Sequence, residues 1–277
     1  MFKRSFRSQD RVEKSAKLAK KSNTARDPQK ISKLQQSLED TLPVKKNLNS
    51  PIVTLTVGRE GRLFAAHEEV LCQSPFFQQA CRDQYLEPQS KRISLPDQEP
   101  EVFSAVLEYL YKGDYYPRLL HNKHRNSWEL EGAVRSPDPS NDNTAGGRGA
   151  VEATMHVPSV GQYLLRDTVV YCAAEKFGLE ELKRLSLRKQ GLQSGIDVGT
   201  ILRSAQYAYD NTPDTDSRLR AHYLALIIRC RKTFKRSGTM QAEMERGGKL
   251  FFDLFVAMCN HLDDVVELSN ARTPKTV

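Results

Sequence analysis

No apolar run in this 277-residue chain approaches the roughly 18 residues that a membrane span needs; runs such as Tyr223 to Ile228 and Leu254 to Cys259 fall far short. The N-terminus lacks an apolar signal core, so a chain that is neither secreted nor membrane-spanning is expected. Paired cysteines are missing too. Cys72, Cys81, Cys172, Cys230 and Cys259 lie far apart with no CxxC, which reads as buried reduced thiols in a reducing compartment, cytoplasmic or nuclear, and not as disulfides or metal ligands.

Motifs that mark common chemistries are absent as well. There is no GxSxG elbow, no HExxH pair and no kinase-like set, and Gly146 to Gly149 lacks the GK[ST] ending and the flanking strand and helix of a phosphate cradle. His67, followed by Glu68 and Glu69, has no second ligand at close spacing and reads as a histidine bonded to backbone. His121 and His124 read as surface residues. No catalytic residue, cofactor or metal is assigned, and the chain is read as a non-enzyme.

Excess charge is confined to one end. Residues 1–50 carry 13 Lys and Arg against 5 Asp and Glu, which accounts for the whole net charge of +8; residues 51–277 hold 29 of each sign. A nucleic-acid domain carries positive charge on its folded surface, so phosphate binding is expected at most in this tail. With sparse apolar residues, residues 1–49 are expected to be mostly disordered. Ile31, Leu34, Leu38 and Leu42 nevertheless stand at helical spacing, open to either a short amphipathic helix or a linker.

From residue 50 the pattern changes. The β-branched run Ile52 to Val57 ends at Gly58, and Gly61 opens Leu63 to Ala66, which predicts two paired strands. Ser74 and Pro75 form an N-cap and first helical residue, with Phe76, Phe77, Ala80 and Cys81 following. Ile93 and Leu95 alternate as a third strand; Phe103, Val106, Leu107 and Leu110 hold helical spacing as far as Gly113. Residues 118–157 sustain no helical or strand period and are expected to be a disordered insertion. Val169, Val170, Ala173, Ala174 and Phe177 restart a helix that stops at Gly178, and a second carries Leu179, Leu182 and Leu185. Lys183, Arg184, Arg188 and Lys189 near its end suit the helix dipole. Three further helical stretches, Ile201 to Tyr209, Leu219 to Cys230 and Leu250 to Leu268, give an all-helical C-terminal region over 196–268.

Four segments in this order resemble the BTB/POZ domain, particularly in fungal BTB-domain proteins. They are Val53 to Val57; Phe64, Ala66, His67, Val70, Leu71 and Ser74 to Phe77; Ile93 to Asp97 with Pro100, Phe103, Leu107, Tyr109 to Tyr111, Gly113 and Tyr115; and Val170 to Leu182. The resemblance implies an α+β fold over 50–190, a short-stranded sheet flanked by helical hairpins, followed by the helical C-terminal region. It implies a homodimer, or pairing with another BTB protein, with Ile52, Leu55, Val70 and Leu71 as interface candidates that are equally candidates for the core. Two implied functions compete: a scaffold that binds partner proteins, and a substrate adaptor that recruits a cullin. For the adaptor, Tyr85, Leu86 and Glu87 match the family's hydrophobic-x-Glu motif. A nuclear regulator with a nucleic-acid-binding tail is a third reading. Where transcription-factor members carry an acidic and a basic residue for corepressor recruitment, this chain has Ile52 and Glu68, so that role is not carried over.

Overall fold

A computed structural model describes residues 50–83, 92–122, 126–131, 153–193 and 195–272. The expected tail and the middle of the insertion lie outside these residues. Strands β1 (Ile52–Val57) and β2 (Arg62–His67) form an antiparallel hairpin, and β3 (Arg92–Leu95) joins β1 in parallel, giving the order β2-β1-β3. Alternation decides which face is inside: Val53, Leu55 and Val57 point into the core, and Ile52, Thr54 and Thr56 point away from it. Gly58 makes the turn at a left-handed φ of +80°, and a Cβ there would stand 3.0 Å from the Pro100 ring.

Helices α1 (Glu68–Leu71) and α2 (Pro75–Asp83) follow β2. The predicted cap between them forms: Ser74 Oγ accepts from Phe77 N at 3.4 Å and donates to the Phe177 carbonyl at 2.6 Å. After β3 comes α3 (Pro100–Lys112), closed by Gly113 in the left-handed conformation. Helices α4 (Arg166–Lys176) and α5 (Glu180–Gln190) complete this lobe. Phe64, Phe76, Phe77, Phe103 and Phe177 interlock at its centre, with Phe77 stacked on Phe177 at 4.9 Å. Val53, Phe76, Leu107 and Ala173 meet in this one core.

The stretch read as an insertion without strands contains three. Strands β4 (Leu119–Asn122) and β5 (Ser127–Leu130) pair, and β6 (Thr154–Val157) pairs with β7 (Gln162–Leu165), which runs directly into α4. Each has only four residues, too few to establish a period of two.

The C-terminal region holds α6 (Val198–Asn211), α7 (Arg218–Arg229), α8 (Arg231–Phe234), α9 (Gly238–Arg246) and α10 (Lys249–Arg272). Helix α9 falls between the helical stretches read at Leu219 to Cys230 and Leu250 to Leu268. Its N-cap Ser237 accepts from Met240 N, and only Met240 and Glu243 are buried, so no apolar stripe announces it. A second core gathers Leu165, Tyr171, Cys172, Leu202, Ala205, Ala208, Leu219, Tyr223, Leu250 and Leu254. Helix α4 serves both cores: every residue from Asp167 to Ala174 is buried, Val170 and Ala174 toward the first and Tyr171 and Cys172 toward the second. No described helix is long and apolar enough to cross a membrane.

Candidate protein-interaction surface

The surface is best built outward from the buried charges that hold it. Lys189, read as a cation at a helix end, is fully buried. Its ammonium donates to the Asp114 carboxylate and to the carbonyls of Tyr115 (2.5 Å) and Pro117 (2.9 Å), and it lies 3.6 Å from the centre of the Tyr115 ring. All three donor positions are thereby satisfied. Burial lowers the Lys189 pKa, with Asp114 acting against that shift. The Tyr115 hydroxyl donates to Asp167 at 2.7 Å, and the Gln193 amide donates to the other Asp167 oxygen at 3.2 Å. Burial raises the Asp167 carboxyl above the ordinary range despite these two donors. This cluster fixes residues 114–117, including the cis Tyr116–Pro117 peptide, and Asp114 also accepts from Leu119 N at 2.9 Å, where β4 begins.

The β4–β5 hairpin thus stands on a rigid base. Trp128 is 42% exposed, with its ring against His121 at 4.7 Å and the Arg188 guanidinium 5.5 Å away. Leu120, on the partner strand, and Tyr116, in the segment leading to β4, are exposed as well. Lys183, the other supposed helix-end cation, is 4% exposed. It pairs with Glu175, Glu180 (3.0 Å) and Asp216 (2.7 Å). Burial disfavours its charge, but the three carboxylates outweigh this and push its pKa well above the ordinary lysine value.

The outer face of the sheet exposes one large apolar residue at each end of the β1–β2 hairpin. Ile52 is 61% exposed on β1 and Leu63 70% exposed on β2, an edge strand. Of the four interface candidates, Ile52 alone offers its side chain to a partner. Leu55, Val70 and Leu71 are at most 1% exposed, because the inward register of β1 and the buried side of α1 commit them to the core. Tyr85, Leu86 and Glu87 lie outside the described residues.

His67 is held differently from the sequence reading. Its Nδ1 meets the Tyr111 hydroxyl at 2.7 Å, and that hydroxyl also accepts from the His67 backbone N–H at 3.0 Å; the ring's partner is a side chain 44 residues away, not backbone. His124 lies outside the described residues. Cys81 and Cys172 are buried as expected, whereas Cys72, Cys230 and Cys259 are only half-buried, and all five are free. Among the described residues no three His, Cys, Asp or Glu side chains converge as metal ligands.

The described residues thus combine a three-stranded sheet, helical hairpins on its inner face and a β4–β5 hairpin that exposes Trp128. Residues 48–123 match the family model described as "BTB/POZ domain". Residues 48–123 therefore carry a BTB/POZ domain, a protein–protein interaction module, within an α+β lobe that is followed by a helical C-terminal region. Among solved structures the chain is similar to the BTB domain of human gigaxonin, at 16% identity over 61% of this chain and 98% of that chain, with a TM-score of 0.28. No curated protein matches the chain in sequence.

Proposed function

We propose that the chain is an intracellular scaffold, cytoplasmic or nuclear, that pairs with a second copy or another BTB protein through the outer sheet face and holds further proteins in place. The observation that carries this reading is the exposure of Ile52 and Leu63 on one face of the β1–β2 hairpin, within the segment that matches the BTB/POZ model. Exposed aliphatic residues on one sheet face, beside an open edge strand, mark an association surface. Replacing both residues with aspartate puts charge on that face without touching the core. Light scattering is expected to show a dimer that dissociates at least tenfold more readily in the Ile52→Asp, Leu63→Asp chain; equal masses for the two chains at every concentration would remove this face from the interface.

A cullin adaptor is the second reading, supported by Tyr85, Leu86 and Glu87 lying between α2 and β3. Pull-down with a cullin separates the two: the adaptor reading expects capture that Tyr85→Ala and Glu87→Ala reduce, and the scaffold reading expects none.

A further inference from the structure

Among the described residues, exposed large apolar side chains are concentrated on α10, far along the sequence from the BTB/POZ segment. This helix has 24 residues, about 36 Å of length, and its first turns anchor it: Leu250, Phe251 and Leu254 are buried in the second core. On another side of the same helix, Phe252, Phe255, Val256, Cys259, Leu262 and Val266 follow one another at steps of three, one, three, three and four residues. Five of them are 40–68% exposed, and Cys259 is half-buried. In heptad terms Phe252, Cys259 and Val266 are a positions and Phe255 and Leu262 are d positions, the seam of a two-helix coiled coil. Val256 at e widens it.

We propose that this stripe is a second self-association surface, on which α10 of one copy packs antiparallel against α10 of another. Three observations identify the occupant. The first is the heptad spacing, which is self-complementary: the a and d side chains of one copy fill the holes between those of an identical helix. The second is area. The six stripe residues, with exposed Met258 and Val265 along one margin, form a continuous apolar strip over two heptads, the footprint of a small interface below the ~800 Å² per partner of a standard one. The third is charge. Asp263, Asp264 and Glu267 make the far half of the helix acidic, and Lys249 at its start is already paired with Asp214 of the same chain. Parallel pairing would set these carboxylates against those of the partner, whereas antiparallel pairing holds the two acidic halves apart. The same carboxylates repel an anionic lipid surface, which disfavours a membrane as the occupant.

This surface is independent of the sheet face, so the two can be tested apart. The Ile52→Asp, Leu63→Asp chain, with its sheet face disabled, is the background. In it, light scattering between micromolar and several hundred micromolar protein is expected to show the mass doubling through α10, and adding Phe255→Glu with Leu262→Glu is expected to weaken that association at least tenfold. These positions are exposed, and circular dichroism confirms that the helices remain. Hydrogen exchange of the unmutated chain supplies a readout that needs no variant: amides of residues 255–266 are expected to exchange more slowly in concentrated than in dilute solution. A background chain that stays monomeric throughout, or exchange in α10 that is the same at both concentrations, overturns the proposal. Failure of the sheet-face variant to change anything in the unmutated chain, by contrast, counts against the sheet interface alone.

Discussion

Lys183 sits among Glu175, Glu180 and Asp216 with almost no access to water, an arrangement whose worth depends on every member being present. Removing the ammonium in Lys183→Met leaves three carboxylates facing one another, and a loss of about 3–5 kcal/mol is expected. Asp216 gives the pH dependence. Burial pushes its carboxyl up, but the Lys183 ammonium and the Tyr171 hydroxyl, 2.9 Å away, outweigh this and hold it below the ordinary aspartate value. In acid the unfolded chain therefore takes up its proton before the folded chain does. The stabilisation from Asp216 is complete above about pH 4, the unfolded aspartate range, and drains away as pH falls through the folded value. Asp167 acts in the opposite sense. Its carboxyl is raised by burial, so the folded chain protonates it first and gains from mild acid. Urea unfolding is expected to find Asp216→Asn weaker by about 1–3 kcal/mol at pH 7, with the deficit shrinking at pH 3. A variant whose midpoint matches the wild type at both pH values would place this stabilisation elsewhere.

At the scale of elements, the turn between α4 and α5 shows how a local stop is also a long-range contact. Gly178 adopts φ +67°, and a Cβ there would meet the Pro75 ring at 3.3 Å, just where Ser74 binds the Phe177 carbonyl. Gly113 has a similar φ of +75° and open space around it. Alanine at Gly113 therefore incurs the left-handed strain alone, about 1–2 kcal/mol, and alanine at Gly178 incurs that strain plus displacement of α2. Thermal melts are expected to drop further for Gly178→Ala than for Gly113→Ala; equal drops would mean that the Pro75 contact is slack. Gly178 as a helix stop was legible in the sequence, because the apolar period ends there, but its neighbour 103 residues earlier was not. The same divide runs through the molecule. The β1–β2 hairpin, the Ser74 cap and α3 carry period and punctuation within a dozen residues, so sequence alone located them. Helix α9 buries one methionine and one glutamate, and the extra hairpins have four-residue strands, so neither leaves a periodic trace. Lys183 and Lys189 looked like helix-end cations because their partners Asp216 and Asp114 are brought near only by folding. Likewise Leu55, Val70 and Leu71 are as apolar as Ile52, and it takes the register of β1 and the packed side of α1 to show which of the four can reach a partner.

The fold of the described residues turns on α4, whose burial from Asp167 to Ala174 makes it a wall shared by both cores. Its second side is completed by the C-terminal region: Tyr171 and Cys172 lie in that core, Leu165 N donates to Ser204 Oγ at 2.9 Å, and the Thr168 hydroxyl meets the Tyr223 hydroxyl at 2.5 Å. Asp216, the partner of Lys183 and Tyr171, comes from the same region. A chain ending at residue 193 would expose Leu165 and Tyr171, at roughly 1.5–3 kcal/mol for each large apolar side chain returned to water, and would leave Lys183 and Thr168 short of partners. These losses together rival the ~5–15 kcal/mol stability of an ordinary domain. Deleting residues 194–277 is therefore expected to abolish cooperative melting and to give a chain that binds a hydrophobic dye. In the full chain the two cores are expected to unfold together: fluorescence of Trp128, the only tryptophan, and helical circular dichroism should trace one transition with a common midpoint. A truncated chain that melted cooperatively within a few degrees of the full one would show that α4 tolerates one bare side, and the C-terminal helices would then be an attachment to the BTB/POZ fold instead of part of its core.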